Sequence, residues 1–420
     1  MITKESASSQ YFDCSPKFLE NFSNISDPFN IPNTISGFIS RKPNWCYGSL
    51  LITHVNNQEL FNPIFIKATP KIPYPFYTVP ENGDRIYSFW QDIIKAEAYE
   101  KLDGTNILAF IYYDNQNNFY LSYKLRLQPF LKVNIYNDFI ALWKIVLEKE
   151  DNYLDKIMKQ FLLLHKNRST LPNLLPAFEL YGTLNQHLVK YEKEIDFHLL
   201  YMVDQVGRDI STIPPSQIEL ESPLYSLCSL PIILNPLSLQ QDYENLRNQA
   251  QAQNTLFKIE NPATEQFSTE GKVVYTESSI FGWTPWKCKP EDIEKIHWSR
   301  SKRLTKEQIY TTIRNYMEEL STIEDFNEIT LQEILTEDFD LEFVENSNVQ
   351  ISKIKDVLLK EAYETRTILT LFEDISSEIR QTKDKRFIMP AIASLISSHQ
   401  KKSMSFAFNV LKRYGHIIEA

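Results

Sequence analysis

The chain has 420 residues, 43% hydrophobic and 23% charged, with a formal charge of −10, which fits a soluble globular protein of two or three domains and excludes a disordered, fibrous or uniformly basic one. Only 9 residues are glycine, about 2% against a usual ~7%, so a fold of many tight glycine hairpins is not expected, and each glycine should have a local reason. Four scattered cysteines, Cys14, Cys46, Cys228 and Cys288, and seven dispersed histidines show no C-x-x-C or H-E-x-x-H spacing, which argues against a disulfide framework, a zinc ribbon or a histidine metal site and for a reducing, cytoplasmic setting.

In chain order, MITKESASSQYFDCS lacks the apolar core of a signal peptide. Residues 1–95 carry short β-like runs at Ser49 to Val55 and Pro63 to Pro70. Asn106 to Asp114 and Asn118 to Leu127 read as a hairpin turned on Asn and Gln. A helix is expected over 137–167, with Ile140, Trp143, Val146 and Leu147 on one face and Leu154, Ile157 and Phe161 continuing it. Strands are expected at 176–182, 187–191 and 197–204, then a Pro-rich connection over 213–236 and a Gln/Asn-rich helix near 237–257. Pro223 to Leu239, the most apolar stretch, holds three prolines and is too short to span a bilayer. Strands at 271–276 and 284–289 close this part.

From residue 291 the pattern is helical. Thr305 to Gln308 and Thr330 to Glu333 spell capping boxes. Ile309, Ile313 and Met317 mark one apolar face, and Ile354, Leu358 and Ala362 another; further helices are expected at 351–380 and 389–413. Gly415 is the tail's only glycine. No Lys or Arg lies between Arg314 and Lys353, whereas Arg380, Lys383, Lys385, Arg386, Lys401, Lys402, Lys412 and Arg413 gather near the end. Solvated helix faces explain this pattern, and a basic shelf for a phosphate backbone is the functional alternative.

The chemistry concentrates in Glu100-Lys101-Leu102-Asp103-Gly104-Thr105-Asn106. A lysine at a turn before a strand can face a cleft and act as a covalent nucleophile once its proton is lost. Three further segments follow. Phe178 to Gly182 puts Glu179 at the end of an apolar strand, and Glu270 opens another. In Trp286-Lys287-Cys288-Lys289-Pro290, Lys287 and Lys289 share one strand face and Trp286 and Cys288 the other. Paired lysines with nearby carboxylates suit triphosphate chemistry with Mg²⁺.

In this order the segments resemble motifs I, III, IV and V of the covalent nucleotidyltransferases, the ATP-dependent ligases and capping enzymes. Glu100 to Asn106 is most similar to motif I of the RNA ligases, and the likeness covers about residues 45–290. It implies an α+β fold, a nucleotidyltransferase domain of antiparallel sheets flanked by helices over 1–290 (motifs I to V over 96–290) followed by an all-α C-terminal domain over 291–420. It implies that Lys101 becomes AMP-lysine, that Glu179 contacts the ribose, that Glu270 assists a metal or the lysine, and that Lys287 and Lys289 hold the α-phosphate. Asp103 and Asn106 would shape the phosphate and RNA ends, Gly104 would let the backbone come close to the nucleotide, and Glu100 would place the adenine. The adenine-stacking aromatic is Phe197 or Tyr201, and the motif Ia cation is Lys124 or Arg126, which alternate on one strand face. An Arg-Gly found upstream in some relatives reads Tyr47-Gly48 here. The cofactors implied are ATP and Mg²⁺ or Mn²⁺, and the partner is RNA with 5′-phosphate and 3′-hydroxyl ends. DNA ligases and capping enzymes append a β-rich OB barrel, which the helical tail does not supply. A GTP-dependent capping enzyme and a non-catalytic nucleotide- or RNA-binding module are the alternatives.

Overall fold

The computed structural model describes residues 2–42, 45–78, 85–87, 89–133, 137–185, 187–207, 211–262, 264, 266–297, 304, 306–319, 326, 331–332, 334–335, 344, 347–396, 404–413 and 416–417. The chain divides into two units: Met1–Leu131 with Ile140–Ile296, and Lys132–Phe139 with His297–Ala420.

The first unit is built on antiparallel sheets. One has the order β1 (Leu19–Ser26), β2 (Thr34–Ser40), β3 (Leu50–Val55), β4 (Gln58–Ile66). Tyr77–Thr78 (β5) pairs with Arg85–Ile86 (β6). β7 (Ile93–Glu100), β8 (Thr105–Tyr113), β9 (Phe119–Lys124), β10 (Leu174–Tyr181), β11 (Asp196–Asp204), β12 (Thr212–Ile213), β13 (Ile232–Leu234), β14 (Lys272–Ser278) and β15 (Gly282–Cys288) form the other two. Their orders are β12-β11-β10-β8-β9 and β13-β7-β14-β15. The helices are α1 (Lys4–Ala7), α2 (Phe139–Arg168), α3 (Leu239–Glu260) and α4 (Glu291–His297). Ile52, Tyr99, Phe110, Ala177, Tyr201 and Tyr275, from all three larger sheets, share one core cluster. β8 is buried from Ile107 to Tyr112 because core covers one face and Trp143 of α2 packs near Tyr123 and Phe178 on the other. That two-sided burial explains its continuous apolar run.

Two hairpins form here without glycine. Asn56 and Asn57, at φ +52° and +61°, make the two-residue turn between β3 and β4. Asn117 at φ +59° turns β8 into β9, while the Asp114 carboxylate accepts the Gln116 and Asn118 N–H groups. Of the eleven non-glycine residues with positive φ among those described, eight are Asn or Asp. Their short polar side chains tolerate the left-handed region, so the expectation that scarce glycine disfavours tight hairpins is corrected.

Three further expectations change. The Phe139–Arg168 helix is two segments around Lys149–Asn152, with Glu150, Asp151 and Asn152 left-handed. The apolar stripe crosses the break because Val146, Leu147, Leu154, Ile157 and Phe161 are all buried. Residues 187–191 form no strand but a single bridge, Val189 to Phe267. The Asp103 carboxylate takes the Leu188 and Val189 N–H groups, spending donors that a ladder would need. β9 ends at Lys124, so Lys124 and Arg126 do not alternate along one strand.

From Lys306 on, the described elements of the second unit are helices: α5 (Lys306–Glu319), α6 (Asn348–Asp374), α7 (Ser377–Thr382), α8 (Lys385–Leu395) and α9 (Met404–Arg413). Ile309, Ile313 and Met317 are buried on α5, and Ile354, Leu358 and Ala362 on α6. Ile368, Phe372, Ile388, Ile392, Val410 and Leu411 make a second apolar cluster. Thr305, Thr330 and Glu333 of the capping boxes, Lys401, Lys402 and Gly415 lie outside the described residues. No described helix is long and apolar enough to cross a membrane, and all four cysteines are free.

Candidate active site

Residues 101–104 carry the chain from β7 in one sheet to β8 in the next. Lys101 stands at that crossing, its N–H donating to Gly271 O at 3.0 Å. This bond ties the lysine to the residue after Glu270. Lys101 Nζ lies 2.6 Å from Glu270 Oε2, and Lys289 Nζ lies 2.6 Å from Glu270 Oε1. One carboxylate thus bridges two ammoniums from separate segments. The Lys101, Glu270 and Lys289 side chains are only 19%, 6% and 8% exposed.

Burial alone would raise the pKa of Glu270, but the two ammoniums hold it down at about 2. Burial would also favour a neutral Lys101, yet Glu270 first and Glu179 second keep it above the ordinary lysine value. Glu179 goes the other way. Burial pushes it up to about 7, with Lys101 opposing and Glu270 adding. On β10, Glu179 lies opposite Asn106 of β8 and His198 of β11. Among the described residues no hydrogen-bond partner reaches the buried Asn106 Oδ1, an acceptor that an incoming ligand could use.

The two aromatic candidates fall on opposite faces of the sheet. Phe197 pairs in register with Leu180, and Leu199 with Phe178, but Tyr201 pairs with Ala177, so Leu200 is bulged and the alternation reverses. Phe197 meets Phe178 at 6.1 Å, on the side where Phe178 meets Trp143. Tyr201 faces the inter-sheet core, where burial raises its pKa and Arg126, Glu179, Asn106 and Thr69 are its electrostatic neighbours. Arg126 Nη2 reaches Pro70 O at 3.4 Å.

Several expected ligands take other roles. Lys124 is fully buried, and its ammonium donates to the carbonyls of Gly48, Leu125 and Arg126 at 3.0, 2.9 and 2.8 Å. With three N–H bonds spent, it is a structural lysine and not a nucleotide ligand. Lys124→Met is expected to cost about 2–4 kcal/mol in a denaturant titration by leaving buried carbonyls unpaired; nucleotide handling by the folded fraction should stay near wild type. A Cβ at Gly104 would sit 2.2 Å from Leu180 O, so this glycine serves backbone packing, not contact with nucleotide. Gly271, at φ +119°, does the same against Cys288 O at 2.2 Å. Glu100 is largely exposed and ion-paired with Lys272. Asp103 is locked by Leu188 and Val189, and its own N–H donates to Tyr191 Oη at 2.8 Å. Lys287 is partly buried, its ammonium 5.5 Å from the Tyr74 ring centroid.

The donor set does not fit a resident metal. Each Glu270 oxygen already holds an ammonium, and no group of three His, Cys, Asp or Glu side chains suited to a metal ion occurs among the described residues. The metal role expected of Glu270 is therefore replaced by that of a charge bridge.

His187 and Tyr191 are the site residues that the sequence reading missed. His187 acts electrostatically on both Asp103 and Glu179. No local spacing announces either residue, because Asp103 recruits their loop from more than 80 positions away.

No protein-family profile and no curated protein matches this chain. A solved structure described as "Archaeal ATP-dependent RNA ligase - form 2" aligns over 82% of this chain and 75% of its own, at 10% identity and a TM-score of 0.39. An overlay so loose leaves the functional reading to rest on the site's own geometry.

Proposed function

We propose that the protein is an ATP-dependent RNA ligase in which Lys101 carries the adenylyl group. The observation that carries the reading is the bridged trio of Lys101, Glu270 and Lys289, with Glu179 beside it. A lysine and a second cation sharing one carboxylate form a buried, cation-rich socket for an α-phosphate. Asn106, Tyr201 and Arg126 would bound the nucleoside side, and Lys287 the polyphosphate side.

Lys101 Nζ gives up a proton to solvent and attacks the α-phosphorus. A P–N bond forms, the bond from the α-phosphorus to the bridging oxygen breaks, and pyrophosphate leaves with that oxygen. Lys289 balances the charge developing there. A 5′-phosphate oxygen of RNA then attacks the same phosphorus; the P–N bond breaks and Lys101 regains a proton. Finally a 3′-hydroxyl attacks the 5′-phosphorus of the RNA adenylate, loses its proton to water, and AMP departs.

Residues 1–290 would form the adenylyltransferase domain and 291–420 a helical domain. RNA is favoured over DNA by the motif formed by Glu100 to Asn106 and by the absence of any strand after Cys288 among the described residues. ATP–Mg²⁺ is expected to add one adenylyl mass to the intact protein, and ATP is expected to support sealing of 5′-phosphorylated RNA strands. Labelling by GTP in place of ATP would favour the capping-type alternative, and nucleotide binding with no adduct would favour a non-catalytic module.

A further inference from the structure

The site charges come from separate segments, yet one helix face touches the backbone beside three of them, Lys287, Lys289 and Glu270. On α3, Tyr243, Arg247 and Asn254 recur at helical spacing and are 0%, 6% and 0% exposed. Tyr243 Oη donates to Lys287 O at 2.6 Å, and Arg247 Nε donates to Lys289 O at 2.8 Å. Asn254 Oδ1 accepts the Ser268 and Thr269 N–H groups, each at 3.0 Å, and its Nδ2 donates to Thr269 O at 3.1 Å. The helix therefore grips the main chain just before Glu270 and the carbonyls of both lysines.

This stripe is costly as packing. A buried guanidinium needs charged partners, here Glu294 and Glu244, and apolar residues of similar volume commonly hold a fold equally well. The β14–β15 ladder already pairs Lys272 with Cys288 and Val273 with Lys287; what apolar residues on α3 could not supply is the hydrogen-bonded continuation past the ladder's end, to Lys289 and the 268–270 segment.

We propose that Tyr243, Arg247 and Asn254 are positioning residues for adenylyl transfer, fixing the separation of Lys287, Lys289 and Glu270 and so the place where two ammoniums meet the phosphates. The inference rests on Lys101 being the nucleophile. Misplacement of reacting groups by about 1 Å costs on the order of a hundredfold in rate, whereas binding of the whole nucleotide is spread over many contacts.

The test is ATP–pyrophosphate exchange by the full chain with Tyr243→Phe, Arg247→Lys and Lys101→Ala. Tyr243→Phe keeps the ring among Phe76, Tyr87 and Trp90, so it should fold even if Arg247→Lys does not. The expected result for Tyr243→Phe is a fall in kcat of about tenfold or more, with KM for ATP changed less than about threefold and Tm close to wild type. A kcat within about twofold of wild type beside an inactive Lys101→Ala, or a loss that merely follows a lower Tm, would overturn the positioning role. Retained exchange in Lys101→Ala would instead overturn the nucleophile reading, and the inference with it.

Discussion

With alanine at position 101, no label from α-labelled ATP is expected to survive on the denatured protein, a loss on the order of 10⁴-fold or more. Lys101→Arg should be equally inactive, because a guanidinium does not give up its proton to become a nucleophile. The fold should survive both changes. Glu270 keeps Lys289 as a partner at 2.6 Å after Lys101→Ala, so no buried carboxylate is stranded. Lys289 should not substitute as nucleophile, because its ammonium stays paired with Glu270 and its carbonyl is held by Arg247.

Glu270→Ala should have the largest effect on stability. It leaves two poorly exposed ammoniums facing each other without their shared carboxylate, and losing one side of a buried ion pair costs about 3–5 kcal/mol. Glu270→Gln should cost less but follow the same logic in pH. The folded-state pKa of Glu270 is depressed to about 2 from an ordinary 4.5, so its stabilisation is complete above the ordinary value and is lost as pH falls from there towards 2. Glu179 has the opposite sign. Its pKa is raised from 4.5 to about 7, so its favourable contribution is complete below 4.5 and is lost as pH rises through 7, by up to ~3 kcal/mol. Denaturant midpoints across pH 3 to 8 read both, with pH values set on the order of one unit apart to resolve the slopes. Glu270→Gln should flatten the acid limb and Glu179→Gln the neutral one. The rate of adenylylation by Glu270→Gln carries two opposed effects. Without the carboxylate, Lys101 loses the neighbour that most favours its ammonium, which makes more free amine. It also loses the contact that aims it, a positional loss on the order of a hundredfold at a pH where the amine is free. A lower rate whose rise with pH begins earlier is the expected signature.

The turn before β8 and the apolar strand carrying Glu179 could be read from sequence because each is local, whereas β15 ends at Cys288, so Lys289 lies past the strand on which the two lysines were expected to alternate. The helical tail was legible for the same reason: Ile309, Ile313 and Met317 bury one face at a regular spacing. What could not be read depends on contacts distant along the chain. Lys124 and Lys289 are both buried lysines, and only their partners, three backbone carbonyls in one case and Glu270 in the other, tell them apart. The choice between Phe197 and Tyr201 turns on one bulged residue, Leu200, which spacing alone does not reveal. The 187–191 segment has a strand-like composition, but the Asp103 carboxylate claimed its donors first. The glycine count misled for a related reason, since Asn and Asp at the turns took over glycine's usual conformations.

The most direct measurement is peptide mapping of wild-type protein after incubation with ATP and Mg²⁺ and digestion at neutral pH. The adenylyl group is expected on the peptide containing Lys101, at Lys101 Nζ. An adduct on Lys289 or any other residue, or none while nucleotide is bound, would contradict the account.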